Sequence, residues 1–332
     1  MVHTGEQTIK KQLIHALTSA EDGYTSGQYL AEIAGCSRTA VWKHIDALRK
    51  EGYQIEAVKK KGYRIVPQKD RLTETDILIG LETAFIGRSI YAYESVPTTQ
   101  TIASELAAKG AVNGTIVISE EQTAGKGRLR RVWHSPHQGG IWMSLIVKPD
   151  IPPYHAPRLT LLTAVAAVLA MREAGVAAGI KWPNDVLVNG RKIAGILTEL
   201  HAESDQIHSV IIGVGINVNQ QPADFNDDIK SLATSLAIEK GEKLDRVAFL
   251  QSFLAHFEEL YQLFLDKGFL PVKEAWEKYS VTIGQRVTAT TAQQSITGYA
   301  SGINEDGVLV VMDEQTNEQH LIYSGDIKIH QL

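Results

Sequence analysis

Hydrophobic positions in the first 66 residues predict three helices followed by a two-stranded wing. Apolar residues recur at helical spacing in Ile9–Leu17, Leu30–Ile33 and Val41–Leu48. After them, Tyr53–Val66 alternates polar and apolar residues around a Lys59–Gly62 turn. The residues that can cap the three helices are Thr8, Ser26 and Ser37. Two short helices joined by a tight turn form a helix-turn-helix unit, whose second helix enters the major groove of DNA.

Alternating strands and helices predict a mixed α/β domain over residues 67–278. The polar segment Pro67–Arg71 begins with a helix breaker and is the predicted linker, and Thr73 can cap the helix that follows it. The predicted strands are Ile90–Tyr93, Gly114–Ser119, Ile141–Val147, Gly179–Lys181, Val186–Val188, Lys192–Leu200 and Ser209–Asn217. The predicted helices are Thr99–Lys109, Pro157–Glu173 and Asp245–Lys267.

The tail of the chain, residues 279–332, has short alternating runs broken by glycines. This pattern predicts a small β-barrel of about fifty residues. The fold class is therefore α+β, and we expect three domains, at residues 1–66, 67–278 and 279–332.

Composition favours a folded protein of a reducing compartment. The chain of 332 residues is 44% hydrophobic and 21% charged, which excludes a wholly disordered protein. Its single cysteine, Cys36, excludes an intrachain disulfide and a multi-cysteine zinc site. No apolar signal region opens the sequence. The most apolar stretch, Leu159–Met171, is about 13 residues long, whereas a bilayer needs ~20. We therefore expect a cytoplasmic protein that does not interact with a membrane.

The net charge of -5 conceals a basic N-terminal segment. Residues 1–70 carry 11 Lys and Arg against 8 Asp and Glu, and Arg38–Arg64 alone carries eight basic residues against three acidic ones. Such a patch attracts polyanions, although a solvated helix face is the plainer alternative.

The third predicted helix has the residue types that read DNA. Arg38 and Lys43 can reach guanine or phosphate, and Thr39 can contact a thymine methyl group. Trp42 can either pack inside the domain or contact the DNA backbone. A helical module that binds another protein is the alternative, but the tight turn, the basic helix and the basic wing tip together favour DNA. The predicted DNA-binding residues are Ser26, Ser37, Arg38, Thr39, Trp42, Lys43, His44, Lys60 and Lys61.

The segment Glu121–Trp133 is the first candidate for ligand chemistry. Gly125 and Gly127 let backbone amides approach an anion, and four basic residues fall within the six positions 126–131. Neither the P-loop nor the GxGxxG spacing is present. The segment is therefore either an anion-binding loop or an exposed turn.

Two later segments carry further candidates. Lys181–Asp185 (KWPND) precedes Lys192–Leu197 (KIAGIL), where a lysine begins an apolar strand. Burying such a cation costs free energy unless an anion meets it, although a solvent-facing lysine at a strand start is common. Asp185 can form a turn or act as a base. Gly213 and Gly215 alternate within an apolar strand, which indicates close approach of a ligand or a bulge.

These segments, in this order, closely resemble those of the bifunctional biotin protein ligases that also repress biotin genes. The family's glycine-arginine loop is present as GKGRLRR at Gly125–Arg131, and KWPND, KIAGIL and the GVGINV strand at Gly213–Val218 are intact. The resemblance covers essentially the whole chain, including the winged helix that single-function ligases lack. Two positions depart from the family pattern: Leu129 replaces a usual arginine and Arg130 a usual glycine.

The resemblance implies a class II synthetase-like catalytic domain and an SH3-like C-terminal barrel. It implies ATP and biotin as substrates, with Mg²⁺ bound through the ATP phosphates and no dedicated metal site in the protein. The implied biotin-binding residues are Thr98, Thr99, Gln100, Gln122, Lys126, Gly127, Arg128, Lys192 and Gly195. The implied ATP- or adenylate-binding residues are Gly125, Arg128, Arg131, Trp133, Asn184, Gly215 and Asn217. The catalytic candidates are Lys192, Arg128, Asp185 and Lys181.

The expected partners are a biotin carboxyl carrier protein with an acceptor lysine, operator DNA with an inverted repeat, and a second copy of the chain. Two other functions compete with the enzyme-repressor hypothesis. A pure regulator that senses a small molecule would not require both Lys181–Asp185 and Lys192. A lipoate ligase would share the catalytic fold, but KWPND and the winged helix count against it.

Overall fold

The computed structural model describes residues 3–18, 23–50, 53–66, 70–203 and 206–330. Within it the chain divides into two compact units, residues 1–82 and 83–332. The predicted domain boundaries at 66/67 and 278/279 differ from this division and stay predictions.

The first unit is a winged helix. Its elements are α1 (His3–Thr18), α2 (Gly27–Ile33), α3 (Arg38–Lys50), β1 (Gln54–Val58), β2 (Gly62–Val66) and α4 (Glu74–Leu78). Helix α1 begins before the predicted cap Thr8, so that predicted start is wrong. The Ser26 and Ser37 caps are confirmed, because their hydroxyls accept hydrogen bonds from the backbone N–H groups of Tyr29 and Ala40.

A compact apolar core holds the winged helix together. It is built from Leu13, Ile14, Leu17, Leu30, Val41, Ile45, Leu48, Ile55 and Ile65, all of them buried. The wing strands β1 and β2 pair antiparallel as predicted, and Lys60 at their turn has a positive φ of 70°. Since the core takes one face of α3, its opposite face remains open to solvent.

The second unit begins with a seven-stranded sheet. Its strands are β3 (Ile90–Val96), β4 (Thr115–Gln122), β5 (Gly140–Val147), β6 (Gly179–Lys181), β7 (Asp185–Val188), β8 (Arg191–Glu203) and β9 (Gln206–Asn217). Their order is β3-β4-β5-β9-β8-β7-β6, with β3 and β4 parallel and the other pairs antiparallel. All seven strands were predicted, within a few residues at their ends.

Helices cover this sheet. They are α5 (Thr99–Ala108), α6 (Pro157–Glu173), α7 (Leu236–Lys240), α8 (Arg246–Lys267) and α9 (Leu270–Tyr279). Helix α5 packs on β4, β5 and β9, whereas α6 packs on β6, β7 and β8 and against α8 and α9. Among the described residues, Pro153–Glu173 is the one helical stretch long and apolar enough to span a membrane, and 67% of its most apolar window is buried in the fold. That burial is typical of a core helix.

The chain ends in a five-stranded antiparallel sheet. Its strands are β10 (Arg286–Thr290), β11 (Ser295–Ile303), β12 (Leu309–Asp313), β13 (Gln319–Ile322) and β14 (Asp326–Ile329). Their order is β13-β12-β11-β10-β14. The strand-rich tail is confirmed, while its closure into an SH3-like barrel stays a prediction.

Candidate active site

A cavity of about 420 Å³ lies over the centre of the seven-stranded sheet. Its walls come from the start of α5, the end of β4, strands β5, β8 and β9, and two loops, at residues 126–134 and 225–233. Asp326, at the start of β14, also contributes to it. The cavity therefore draws on segments that are far apart in the sequence and adjacent in the sheet.

One end of the cavity is a neutral hydrogen-bonding network. The Gln122 side-chain oxygen accepts from the backbone N–H of Thr99 at 2.9 Å, and the Gln122 amide donates to the Ser135 hydroxyl at 2.9 Å. Ser144 lies 2.8 Å from the Thr99 hydroxyl and donates to the Gln100 side-chain oxygen at 2.9 Å. Thr99, Gln100 and Ser144 are almost completely buried. These uncharged donors and acceptors suit a neutral polar ligand group.

The other end is cationic. Lys192 Nζ lies 2.6 Å from Asp185 Oδ1, and the same ammonium group lies 5.2 Å from the centre of the Trp133 ring. Lys126 and Arg128 also line the cavity. Burial lowers the pKa of the Arg128 guanidinium, although the neighbouring carboxylates oppose this shift. Cations at this density suit a ligand that brings more than one negative charge.

The loop at Gly125–Arg131 is held by polar contacts from three directions. Arg128 donates to Asn184 Oδ1 at 3.0 Å and to the Ser324 hydroxyl at 3.2 Å. Arg131 forms an ion pair with Asp326. The sequence positions that depart from the family, Leu129 and Arg130, have positive φ values of 54° and 61°. A left-handed backbone costs a non-glycine residue roughly 1–2 kcal/mol, so the arginine at position 130 adds strain where glycine would not.

Trp133 lies against bare backbone in the cavity. A side chain at Gly195 would come within 2.9 Å of the Trp133 ring, and one at Gly215 would overlap it. Gly195 and Gly215, which pair across β8 and β9, therefore make room for an indole. Among the described residues, the buried indole N–H of Trp133 has no hydrogen-bond partner, which leaves it free to donate to a ligand.

A loop from β9 to α7 closes the cavity beside Lys192. The Lys192 backbone N–H donates to Leu232 O at 2.7 Å, and Thr234 N–H donates back to Lys192 O at 2.9 Å. The side-chain amide of Asn217 donates to Thr234 O at 2.9 Å. Phe225 belongs to the same loop and lines the cavity. The backbone of this loop is thus hydrogen-bonded to Lys192, which is a candidate catalytic residue.

The structure brings nearly all of the sequence-predicted site residues to this one cavity. Those that line it are Thr98, Thr99, Gln100, Gln122, Lys126, Gly127, Arg128, Arg131, Trp133, Asn184, Asp185, Lys192, Gly195, Gly215 and Asn217. Gly125 does not line it but lies in the same loop. Lys181 lines a separate cleft beside Arg172, Lys278 and Lys328, and burial lowers the pKa of its ammonium group.

Sequence reasoning missed several residues of the cavity wall, among them Ser144 and Asp326. Ser144 is a hydroxyl in the otherwise apolar run Gly140–Val147, which was the available signal. Asp326 also lines the cavity, but no local pattern marks it. Phe225 was not among the predicted site residues, although it lies in the polar stretch of residues 219–229 that follows β9.

The winged helix presents its predicted DNA-binding residues to solvent. Arg38, Thr39 and Lys43 are exposed on α3, and the Trp42 side chain is 55% exposed, so it does not pack into the core. The others, Ser26, Ser37, Lys60 and Lys61, are exposed and His44 is half-buried. Lys61 and Arg64 both lie over the Tyr24 ring, at 5.4 and 5.2 Å, which orients the cations of the wing.

Comparison with known families matches three models along the chain. They are a helix-turn-helix domain at residues 10–64, the biotin/lipoate A/B protein ligase family at residues 92–217, and the biotin protein ligase C-terminal domain at residues 282–329. Together with the cavity, this order defines a ligase that carries its own DNA-binding module.

Individual proteins of similar sequence and structure identify the family within this class. The chain is 48% identical to the bifunctional ligase/repressor BirA of Bacillus subtilis, over 97% of this chain and 99% of that protein. It is 28% identical to BirA of Escherichia coli, over 92% and 93% of the two chains. The solved biotin protein ligase of Aquifex aeolicus in complex with biotin and ATP superimposes with a TM-score of 0.63 at 28% identity, covering 74% of this chain and 99% of that one. The chain belongs to the bifunctional ligase/repressor family of biotin protein ligases.

Proposed function

We propose that the chain joins biotin to a lysine of a biotin carboxyl carrier protein at the expense of ATP, and that it also represses transcription at an operator. The polarity of the cavity is the observation that best supports the proposed ligase activity. A neutral hydrogen-bonding end faces a cationic end across a single space of about 420 Å³. Biotin has the same polarity, with an uncharged ureido ring at one end and a carboxylate at the other.

The network around Gln122 and Thr99 is the proposed ureido subsite. Its buried amide and hydroxyl groups can donate to a carbonyl and accept from N–H groups. The carboxylate then extends toward Lys192 and Arg128. The indole N–H of Trp133 and the amide of Asn217 flank the remaining space, which we assign to the adenosine.

In the first step the biotin carboxylate oxygen attacks the α-phosphorus of ATP. The new P–O bond forms as the bond to the pyrophosphate oxygen breaks, and biotinyl-5′-adenylate remains. Two anions must meet, so Lys192 and Arg128 stabilise the charge that accumulates around the phosphorus. Mg²⁺ would enter with the ATP phosphates and neutralise the leaving pyrophosphate.

In the second step an acceptor lysine attacks the acyl carbon. The C–N bond forms, the bond from the acyl carbon to the phosphate oxygen breaks, and AMP leaves. The attacking amine loses a proton, and Asp185 is the carboxylate in the cavity wall that can accept it beside Lys192.

For the repressor half we propose that two winged helices read an inverted repeat in the cytoplasm, with biotinyl-adenylate as corepressor. One winged helix offers few base contacts, and a basic patch by itself gives mainly nonspecific affinity. A homodimer supplies the second winged helix. We retain residues 1–66 as the DNA-binding domain, 67–278 as the catalytic domain and 279–332 as the C-terminal domain.

Isotope exchange between pyrophosphate and ATP tests the enzymatic assignment. We expect exchange that requires biotin and is not supported by lipoate. Exchange with lipoate would instead favour a lipoate ligase. No exchange with either acid would favour a regulator that only senses its ligand.

A further inference from the structure

A second groove of about 370 Å³ adjoins the cavity and has no role in the proposed binding of biotin or ATP. Two solvent-exposed tyrosines flank it, Tyr154 (70% exposed) and Tyr323 (75% exposed). We name it the tyrosine groove. The apolar residues that line it include Leu161, Trp182, Ile196, Leu197 and Val308.

The tyrosine groove is continuous with the active-site cavity. Arg128, Asn184, Ile196 and Leu197 line both spaces. The hydrogen bond from Arg128 to Asn184 therefore stands at the partition between them. A side chain that follows the groove inward arrives beside Arg128, where the adenylate phosphate is proposed to lie.

The groove is poorly suited to an anion. Arg128 is the only cation among the described residues that line it, and Asp306 adds a carboxylate to the same lining. Asp306 itself is paired with Arg158 at 2.7 Å. The main cavity, by contrast, is lined by Lys126, Arg128, Arg131 and Lys192 against two carboxylates. Pyrophosphate would gain little from the tyrosine groove, because phosphate groups need several charge-assisted donors.

The groove is well suited to a long side chain that carries a positive charge. Aromatic faces attract an ammonium group, and an apolar floor accommodates a methylene chain. The floor is fixed by the Trp182 indole N–H, which donates to Gly307 O at 3.1 Å, and Tyr154 is braced edge-on by His155 at 4.3 Å between ring centroids. Since the main cavity repels cations, a lysine would approach the adenylate more easily from this side.

We propose that the tyrosine groove admits the acceptor lysine and that Tyr154 and Tyr323 dock the carrier surface around it. This inference rests on the proposed ligase function. It assigns the two tyrosines to recognition of the acceptor and gives them no part in adenylate formation.

The test separates the two half-reactions. In the double variant Tyr154→Ala/Tyr323→Ala we expect unchanged biotin-dependent pyrophosphate exchange and unchanged transfer of biotin to hydroxylamine, a small nucleophile that needs no docking. The KM for a purified biotin carboxyl carrier domain should rise about tenfold, as for loss of aromatic anchors at an interface. The double Tyr→Phe variant keeps both rings and should behave nearly as the wild type.

The matched control is Tyr299→Ala, which removes an exposed tyrosine of the C-terminal sheet that lines neither space. Its acceptor KM should not change. The inference is overturned if the alanine double variant keeps a normal acceptor KM, or if its hydroxylamine reaction falls in parallel with carrier biotinylation. Absence of biotin-dependent exchange in the wild type would overturn the proposed function instead.

Discussion

Lys192 Nζ and Asp185 Oδ1 are 2.6 Å apart at the cationic end of the cavity, on the paired strands β7 and β8. The two side chains are only 34% and 22% exposed. Asp185 therefore offsets the lysine charge until the substrate anions arrive. Both residues line the same space. In the proposed mechanism, Lys192 stabilises the developing negative charge and Asp185 accepts a proton from the acceptor amine.

Replacing Lys192 by alanine should abolish most adenylate formation. The substitution removes a cation from the point where we propose that carboxylate and phosphate meet, and loss of such a group costs on the order of 10²–10³ in rate. Biotin-dependent pyrophosphate exchange measures the effect. The exposed Lys109→Ala is the control and should leave the rate unchanged. A folded Lys192→Ala protein with near-normal exchange would refute the assigned role.

Replacing Arg128 by glycine should let the reactive adenylate escape. Arg128 joins the Gly125–Arg131 loop to Asn184 and Ser324, so its loss removes two of the contacts that hold the loop over the cavity. We expect biotin to label lysines of added bystander protein, such as serum albumin, in a mass-spectrometric assay. Labelling that stays confined to the natural acceptor would show that Arg128 does not retain the intermediate.

Sequence patterns predicted the helices and strands better than the tertiary contacts between them. Strands such as Ile141–Val147 are marked by local hydrophobicity alone, and the caps at Ser26 and Ser37 are local as well. Asp326 lines the cavity because the start of β14 folds against a site whose other walls come from distant segments of the chain, and no local pattern carries that information. Most of the site residues could be predicted from the sequence because KWPND and KIAGIL are specific motifs. Membership of a motif does not by itself place a residue in the cavity, since Lys181 of KWPND lines a different cleft.

Replacing Arg246 by methionine should destabilise the second unit. Its guanidinium is 0% exposed and lies 2.7 Å from Glu120, which is 5% exposed. Breaking a buried pair leaves an uncompensated charge and typically costs about 3–5 kcal/mol. Urea unfolding followed by tryptophan fluorescence measures the loss. The control Arg286→Met breaks the more exposed Arg286–Glu314 pair and should scarcely shift the midpoint, so equal midpoints for the two variants would contradict the argument.

Replacing Trp42 by alanine should weaken operator binding without changing its salt dependence. The exposed indole lies on the open face of α3 together with Thr39 and Lys43, where an apolar contact with a thymine methyl group is possible. We expect about tenfold weaker binding, comparable to one mismatched base pair. Lys43→Ala should instead reduce the salt slope, as for loss of a phosphate contact. A Trp42→Ala protein with wild-type operator affinity would exclude the indole from recognition.

Operator binding should tighten when biotin and ATP are supplied together. We expect two loops to order around biotinyl-adenylate, Gly125–Arg131 and residues 219–229. Both contribute to the cavity wall, the second through Phe225 and Ile229, so a bound adenylate can contact both. If the ordered loops complete a dimer surface, ligand favours the dimer, and the dimer favours DNA through linkage. A mobility-shift titration at fixed salt should show higher affinity with both substrates than with either one.

Two controls test whether operator binding is coupled to formation of biotinyl-adenylate. We expect Lys192→Ala to form little of the intermediate, so its operator affinity should not respond to biotin and ATP, although its winged helix is untouched. Deletion of residues 1–66 should remove DNA binding while biotin-dependent exchange remains measurable. Ligand-induced dimerisation, followed by analytical ultracentrifugation, should then persist in the deleted protein, because both ordered loops lie outside the deleted segment. Operator affinity of the full chain that is indifferent to biotin and ATP would break the proposed link, leaving the ligase as a separate activity.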